Sequence, residues 1–308
     1  MKEIIFKGAG VALITPMNKD GSVDFNGISK LIEFQLNNKT DAIISCGTTG
    51  EPSTLSEEER IKVVERTIKS VGGRIPVIVG TGSNNTKHAL SLSLKAQELG
   101  ADALLIVTPY YNKTSQKGLV EHYIYIANRV KIPIILYNVP SRTGLNINPE
   151  TCGILSKHKR IVAIKEASGN ISQIAEIASI CGSELPIYCG NDDQIIPTLS
   201  FGALGVISVF SNIFPKQLHD IVKRYFSGDH KKSLELFLSS LKLMNALFWD
   251  VNPIPVKAAL NFIKLPSGNC RLPLTTLDSF TKNKLQKIIE FYIKHVVDVE
   301  QNHVCKNV

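Results

Sequence analysis

Several features that would assign this 308-residue chain to a particular class of protein are missing from it. Its six cysteines are scattered, with no C-x-x-C pair and no histidine at zinc-finger spacing, so neither a disulfide framework nor a zinc site is indicated. No apolar stretch approaches the roughly 20 residues of a membrane span, and the first residues lack a secretory apolar segment. We therefore expect a cytoplasmic protein with reduced thiols and no contact with a membrane.

Charge of one sign is also not concentrated anywhere. The chain has 35 Lys and Arg against 27 Asp and Glu, which gives a formal net charge of +8. No run of five like charges occurs, and opposite charges alternate in stretches such as SEEERIKVVERTIKS. This pattern predicts a solvated surface that favours anionic small molecules, and no nucleic-acid partner.

Short apolar runs recur along the first two thirds of the chain. They are continuously apolar, not alternating, which is typical of parallel strands covered on both faces. Their starts lie roughly 20 to 35 residues apart, enough for a strand, a loop and a returning helix. The runs cover residues 10–15, 42–46, 76–80, 103–107, 133–137, 161–165, 186–190 and 205–209.

Helix start signals lie between these runs. Ser56 and Glu59 form a capping box, Asp24 and either Asn84 or Asn85 can cap further helices, and Pro149 suits a first helical turn. Eight such units predict an α/β fold, a (β/α)₈ TIM barrel; a doubly wound open sheet is the alternative.

The strand signal stops at about residue 225, and helical periodicity follows. Residues 230–249, 254–263 and 277–297 read as three helices, and 301–308 as a loose tail. We therefore predict two parts, a barrel catalytic domain over 1–225 and a C-terminal helical subdomain over 226–308.

A lysine at the end of the sixth run is the first candidate for chemistry. In such barrels the reactive groups lie at the carboxyl ends of the strands, and Lys165 ends the run IVAIK. An amine must lose its proton before it attacks a ketone, and desolvation favours the neutral form. Lys165 is therefore a candidate Schiff-base nucleophile. The alternative is a structural ion pair with Glu51 or Glu166.

Neighbouring strand ends supply partners for an imine site. Tyr137 ends the fifth run, and its phenol can relay a proton. Thr48 and Thr49 present hydroxyls in a glycine-flanked turn where backbone amides can approach a carboxylate. In GNDDQ, adjacent carboxylates could suggest a metal site, but capping of a helix N-terminus by Asp192 or Asp193 is the simpler interpretation.

Five motifs together resemble the 4-hydroxy-tetrahydrodipicolinate synthase (dihydrodipicolinate synthase) family, within the pyruvate-dependent class I aldolase and N-acetylneuraminate lyase group. They run in order from about Gly10 to Leu265 and read GTTGEPSTLSEEER, TPYYNKTSQKGLVEHY, ILYNVPSRTG, AIKEASG and GNDD. The resemblance implies a lyase that condenses pyruvate with L-aspartate-4-semialdehyde in diaminopimelate and lysine biosynthesis. It also implies that no metal or organic cofactor is required.

The resemblance assigns a role to each matching residue. Lys165 would form the imine, Tyr137 would relay protons, and Thr48 would link Tyr137 to Tyr111, which in the family reaches across a subunit interface. A homo-oligomer is thus implied, either a tetramer built as a dimer of dimers or a dimer. The substrate-binding roles fall on Thr49, Arg142, the Gly190 carbonyl and Ile207.

Two other functions stay open at this point. A 2-keto-3-deoxy sugar acid or N-acetylneuraminate aldolase would share the lysine and tyrosine. Arg142 favours the synthase because a guanidinium can bind the carboxylate of an aldehyde acid through two parallel hydrogen bonds. The other possibility is a barrel that senses a 2-oxo acid without turnover.

One family feature is missing from the sequence. Feedback-inhibited relatives bind lysine in a cleft lined by histidines after the GTTGE loop and by an acidic residue in the next helix. Here Glu57 and Arg60 stand at the histidine positions and His88 at the acidic one. Because Arg60 or a protonated His88 would repel the lysine cation, we predict weak or no inhibition by lysine.

Overall fold

The computed structural model describes residues 2–298, and eight parallel strands within that range close into a barrel. Each strand pairs with its neighbours in chain order, and the last pairs with the first. The strands are β1 (Gly8–Ala12), β2 (Ala42–Ser45), β3 (Val77–Gly80), β4 (Ala103–Val107), β5 (Ile134–Asn138), β6 (Ile161–Glu166), β7 (Ile187–Cys189) and β8 (Gly205–Ser208). The predicted TIM barrel is confirmed.

Helices form the outer layer around the strands. Those that follow β1 to β8 are α1 (Phe25–Asn37), α2 (Glu57–Val71), α3 (Thr86–Glu98), α4 (Gln116–Ala127), α5 (Pro140–Thr143), α6 (Pro149–Leu155), α7 (Ile171–Cys181), α8 (Ile195–Ser200) and α9 (Pro215–Phe226). Three further helices complete the described chain: α10 (His230–Ala246), α11 (Ile254–Phe262) and α12 (Ser279–Tyr292), which continues as a π-helix over Ile293–Val297.

The predicted helix starts agree with the structure. Ser56 accepts from the Glu59 backbone N–H at 3.1 Å, and the Glu59 carboxylate accepts in return from the Ser56 N–H at 2.9 Å. Asp24 caps α1, and Asn85, not its neighbour, caps α3. These side chains satisfy N–H groups that have no partner within the first helical turn.

The C-terminal helices also lie close to where periodicity placed them. Helix α10 packs against α9 and α12, and α11 against α12. The proposed boundary between 225 and 226 falls one residue before α9 ends, and the division into a barrel domain and a helical subdomain stays a prediction. The expected loose tail at 301–308 lies outside the described residues.

Two apolar cores result from the alternation of side chains along the strands. One lies between the barrel and its helices. The other fills the barrel, and its buried residues are Phe6, Ala12, Ala42, Ile44, Ile78, Ala103, Leu105, Ile135, Tyr137, Val139, Val162, Ala163, Ala167, Tyr188 and Ile207. Within residues 2–298, none of the helices has the length and apolarity needed to span a bilayer.

Candidate active site

The carboxyl ends of β5 and β6 place a lysine beside a tyrosine inside the barrel. Tyr137 and Lys165 occupy paired positions of the two parallel strands. Lys165 lies on the same side of β6 as Ala163 and Ala167, which both belong to the interior core. Its side chain is almost fully buried, and Nζ lies 4.4 Å from the centroid of the Tyr137 ring.

The carboxylates that the sequence offered as ion-pair partners of this lysine are engaged elsewhere. Glu51 Oε1 accepts from Lys257 Nζ at 2.7 Å, and Glu166 accepts from Asn138 Nδ2 at 2.9 Å. Burial raises the pKa of the Glu166 carboxyl, while its hydrogen bonds oppose the rise. No carboxylate of residues 2–298 lies within ion-pair distance of Lys165, so the structural ion-pair interpretation is wrong.

The threonine motif forms a short 3₁₀ turn directly after β2. It covers Thr48–Gly50, and the Gly50 N–H donates to the Gly47 carbonyl at 2.9 Å. Thr49 is buried, and its Oγ1 accepts from Asn252 Nδ2 at 2.9 Å. The turn therefore joins the barrel rim to the segment between α10 and α11.

A cleft of about 820 Å³ opens above the barrel interior. Val107 and Val139 line it and also pack in or against the interior core, so the cleft floor is the top of that core. Three predicted site residues line the cleft: Thr48, Tyr111 and Arg142. Lys165 and Tyr137 are not on its lining and lie inside the barrel.

Tyr111 stands apart from the other predicted residues. Its side chain is 90% exposed, and its backbone φ of 67° lies in the left-handed region, which few residues other than glycine adopt. Backbone strain of this kind concentrates at functional sites. The structure thus leaves the Tyr111 side chain apart from the pair formed by Lys165 and Tyr137.

Gly190 directly follows β7, and Ile207 lies near the carboxyl end of β8. The Gly190 N–H donates to the Glu166 carbonyl at 2.7 Å, and a Cβ on Gly190 would lie only 2.6 Å from Ala167 Cβ. Only glycine allows the chain to approach the end of β6 so closely. Ile207 is buried in the interior core.

The GNDD motif has a structural role that differs from the predicted one. Asp192 Oδ2 accepts from the backbone N–H groups of Val209 and Phe210, at 3.0 and 2.8 Å. Asp192 thus caps the 3₁₀ turn that follows β8, and the expectation that it caps the helix after its own motif is wrong. Burial raises the pKa of Asp192, while these donors and the positive charge of Lys165 lower it.

Sequence reasoning missed Asn252, in the segment between α10 and α11, and Lys257, in α11. The Asn252 side chain contacts Thr49, and its backbone carbonyl accepts from Arg142 Nη2 at 3.5 Å. Lys257 holds Glu51, the residue that ends the threonine motif. The only signal in the sequence was an Asn-Pro pair ahead of a helix, which indicates a turn but no contact with the barrel.

A closed parallel barrel with a buried lysine at a strand end, next to a strand-end tyrosine, defines a TIM-barrel protein with a candidate amine nucleophile. The comparisons agree with the TIM-barrel class. Residues 5–292 match the dihydrodipicolinate synthetase family, and the chain belongs to that family.

Similar proteins span nearly the whole chain. The 4-hydroxy-tetrahydrodipicolinate synthase of Caldicellulosiruptor saccharolyticus is 58% identical over 288 residues, which are 94% of this chain and 97% of the relative. The solved structure of the synthase from Methylacidiphilum fumariolicum SolV has a TM-score of 0.94 at 38% identity and covers 97% of this chain and 99% of its own. A dihydrodipicolinate synthase variant described as monomeric has a TM-score of 0.91 at 44% identity, over 93% and 96% of the two chains.

Proposed function

We propose that this protein is a lyase that condenses pyruvate with L-aspartate-4-semialdehyde to give 4-hydroxy-tetrahydrodipicolinate, a step in diaminopimelate and lysine biosynthesis. Membership of the dihydrodipicolinate synthetase family and the name of its 58% identical relative support this function. The observation that carries it is the burial of Lys165 beside Tyr137, with no carboxylate of residues 2–298 within ion-pair distance.

The chemistry begins at the Lys165 amine. The neutral amine adds to the ketone carbon of pyruvate, water leaves, and an iminium forms. Loss of a methyl proton then gives an enamine, whose carbon attacks the aldehyde of the second substrate. The substrate amine finally adds to the imine carbon and displaces Lys165 as the ring closes. Atoms balance without an oxidant or a reductant, and we propose that no cofactor takes part.

The remaining predicted residues have roles in proton transfer and binding. Tyr137 passes the protons of imine formation, with Thr48 linking it to Tyr111. Arg142 binds the carboxylate of the semialdehyde, which fits its place on the cleft wall. We further propose that Thr49, the Gly190 carbonyl and Ile207 surround the pyruvate part of the adduct.

The sugar-acid aldolase is the weaker candidate. It would need the same lysine and tyrosine, but it has no use for a cationic group that recognises the carboxylate of a short aldehyde acid. Arg142 on the cleft wall and the named relative both favour the synthase. Turnover of aspartate semialdehyde but not of N-acetylneuraminate is the expected result.

We also propose that the working form is a homo-oligomer in the cytoplasm, either a dimer or a tetramer. Tyr111 is exposed at the cleft edge, where a second subunit could bring its own tyrosine. Sedimentation velocity of the full chain tests the assembly, because a monomer at enzyme-assay concentrations would contradict it.

The proposed cytoplasmic location agrees with the state of the cysteines. A reducing compartment fits the unpaired state of Cys46, Cys152, Cys181, Cys189 and Cys270.

Chemical trapping tests the proposed function directly. Borohydride reduces an imine to a stable secondary amine, so treatment with pyruvate and borohydride should add one pyruvate-derived group to the protein. Mass spectrometry of the digested protein should place that group on the peptide with Lys165. An unmodified protein would exclude the proposed mechanism and favour a non-catalytic binding barrel, whereas modification at another lysine would exclude Lys165 as the nucleophile.

A further inference from the structure

Asn252 has a buried acceptor that nothing in the described chain satisfies. The residue is 5% exposed and lines the cleft. Its Nδ2 donates to Thr49 Oγ1, whereas Oδ1 is buried and has no hydrogen-bond partner among residues 2–298. A buried carbonyl oxygen without a donor costs free energy, so such an atom in a substrate cleft indicates a ligand that supplies the donor.

Arg142, which contacts Asn252, indicates which chemical groups the ligand carries. Arg142 Nη2 donates to the backbone carbonyl of Asn252 at 3.5 Å, and both residues line the cleft, so the guanidinium and Asn252 lie on the same part of the cleft wall. A guanidinium suits a carboxylate, whereas an amide oxygen suits an N–H donor. Together they match a small molecule that carries a carboxylate and an ammonium group on the same carbon.

The acidic groups near this corner are already used. The Glu51 carboxylate lines the cleft, but it accepts from Lys257 Nζ and from the Arg271 backbone N–H. A cationic amine entering the cleft therefore finds a free acceptor at Asn252 and no free charge at Glu51.

We propose that Asn252 Oδ1 accepts a hydrogen bond from the α-ammonium group of the semialdehyde while Arg142 holds its carboxylate. The inference rests on the proposed function and extends it, because it names the residue that recognises the α-ammonium group of the substrate. Asn252 would then select the amino-acid aldehyde over 4-oxobutanoate, which is the same aldehyde acid without the amine. The contact also fixes the nitrogen that later closes the ring.

The test compares the two aldehydes in the Asn252→Ala variant. The KM for aspartate semialdehyde and the inhibition constant of 4-oxobutanoate are measured at saturating pyruvate in both proteins. Loss of a hydrogen bond to a charged group predicts a KM that is roughly 10- to 100-fold higher. The inhibition constant of 4-oxobutanoate should change less than about threefold, because that molecule has no amine to lose.

A merely structural role gives a different result. If the Asn252 side chain acted only by holding Thr49, both constants would rise by the same factor, and the inference would be overturned. An unchanged KM would overturn it as well. Borohydride trapping of pyruvate separates this inference from the proposed function. If the unsubstituted enzyme forms no trapped adduct, the proposed function is wrong. If trapping is normal but both constants rise equally in the alanine variant, only the role of Asn252 is wrong.

A second variant covers the case in which the alanine variant does not fold. Asn252→Asp keeps an oxygen acceptor in the same place. Its negative charge next to Arg142 weakens binding of both aldehydes, so the readout is the ratio of the inhibition constant of 4-oxobutanoate to the KM of the semialdehyde. That ratio should stay the same or increase. A tenfold or larger fall in that ratio would show that this oxygen does not bind the α-ammonium group.

Discussion

Lys165 Nζ lies over the face of the Tyr137 ring, 4.4 Å from its centroid, and the two residues are paired across β5 and β6. The amine is thus held by an aromatic ring and by burial, not by a carboxylate. The ring and the hydroxyl of Tyr137 can therefore be tested separately.

Removing only the hydroxyl should slow turnover and spare the imine. Tyr137→Phe keeps the ring that packs on Lys165 but cannot pass a proton, so we expect kcat to fall by a factor of roughly 10² or more. Prolonged incubation with pyruvate and borohydride should still give the adduct, which mass spectrometry detects. Lys165→Ala is the control and should give none. A phenylalanine variant with unchanged kcat would remove the tyrosine from the proton path.

Removing the guanidinium should affect only the second substrate. Arg142→Ala deletes the cationic group on the cleft wall and leaves the interior of the barrel unchanged. We expect the KM for aspartate semialdehyde to rise at least tenfold, since a bidentate charged contact is lost, while trapping of pyruvate stays normal. Equal damage to trapping and to semialdehyde use would show that the division of roles is wrong.

Removing one partner of the buried ion pair between Glu51 and Lys257 should destabilise the protein strongly. Both side chains are almost inaccessible, and Lys257 Nζ also donates to the carbonyls of Thr15 and Asn269. Lys257→Met leaves a buried carboxylate without its cation, so the free energy of unfolding should fall by about 3–5 kcal/mol. Urea denaturation followed by circular dichroism measures this.

The matched control for that prediction removes both charges. Glu51→Gln combined with Lys257→Met leaves no uncompensated charge, so the double variant should be more stable than Lys257→Met alone. Equal stability of the single and double variants would mean that the lost packing of the lysine stem, not the stranded carboxylate, causes the loss.

Most of the fold could be predicted because continuous apolar runs report strands buried on both faces. The strand β4 has the predicted bounds, whereas β1 begins two residues before its apolar run. The cause is Gly8, which pairs with Gly205 of β8; a Cβ on Gly205 would lie only 1.9 Å from the Gly8 carbonyl oxygen. Closure of the barrel needs glycine there, and glycine hides the strand from an apolar pattern.

The site was predictable in part for a related reason. Lys165 and Tyr137 could be found because strand ends of a parallel barrel meet at one face. The contacts of Asn252 and Lys257 depend on how α10 and α11 return over that face, and no local pattern encodes such long-range packing. Asp192 was misassigned because the N–H groups that donate to its carboxylate belong to Val209 and Phe210, which follow β8, and not to its own motif.

The pair of Glu59 and Arg271 should make stability depend on acid pH. Hydrogen bonds from Arg271, at 2.7 Å between Nη1 and Oε2, lower the pKa of Glu59 from 4.5 to about 2. A lowered carboxyl pKa stabilises the fold above about 4.5, and the contribution disappears as pH falls through about 2. Glu59→Gln keeps an acceptor for the Ser56 N–H and should cost on the order of 1 kcal/mol at neutral pH, since the pair is partly solvated.

Urea denaturation at a series of pH values checks that dependence. The difference in unfolding free energy between the unsubstituted protein and Glu59→Gln should be constant at neutral pH and shrink below about 4.5. Glu58→Gln is the control, because Glu58 forms an exposed pair with Lys62 and its loss should have a smaller effect. A difference that does not change between neutral and strongly acidic pH would show that charge is not the cause.

Free lysine should inhibit this enzyme weakly or not at all. Arg60 and His88 line the cleft at positions where the family resemblance implies a lysine site. Glu57 lies 3.9 Å from His88, and the Glu51 carboxylate on the cleft lining is paired with Lys257, whereas the Arg60 guanidinium carries a positive charge that repels lysine. Steady-state rates at increasing lysine measure the effect, and half-inhibition at submillimolar lysine would contradict the prediction. His88→Glu restores an acidic group, so that variant should be more sensitive to lysine than the unsubstituted enzyme.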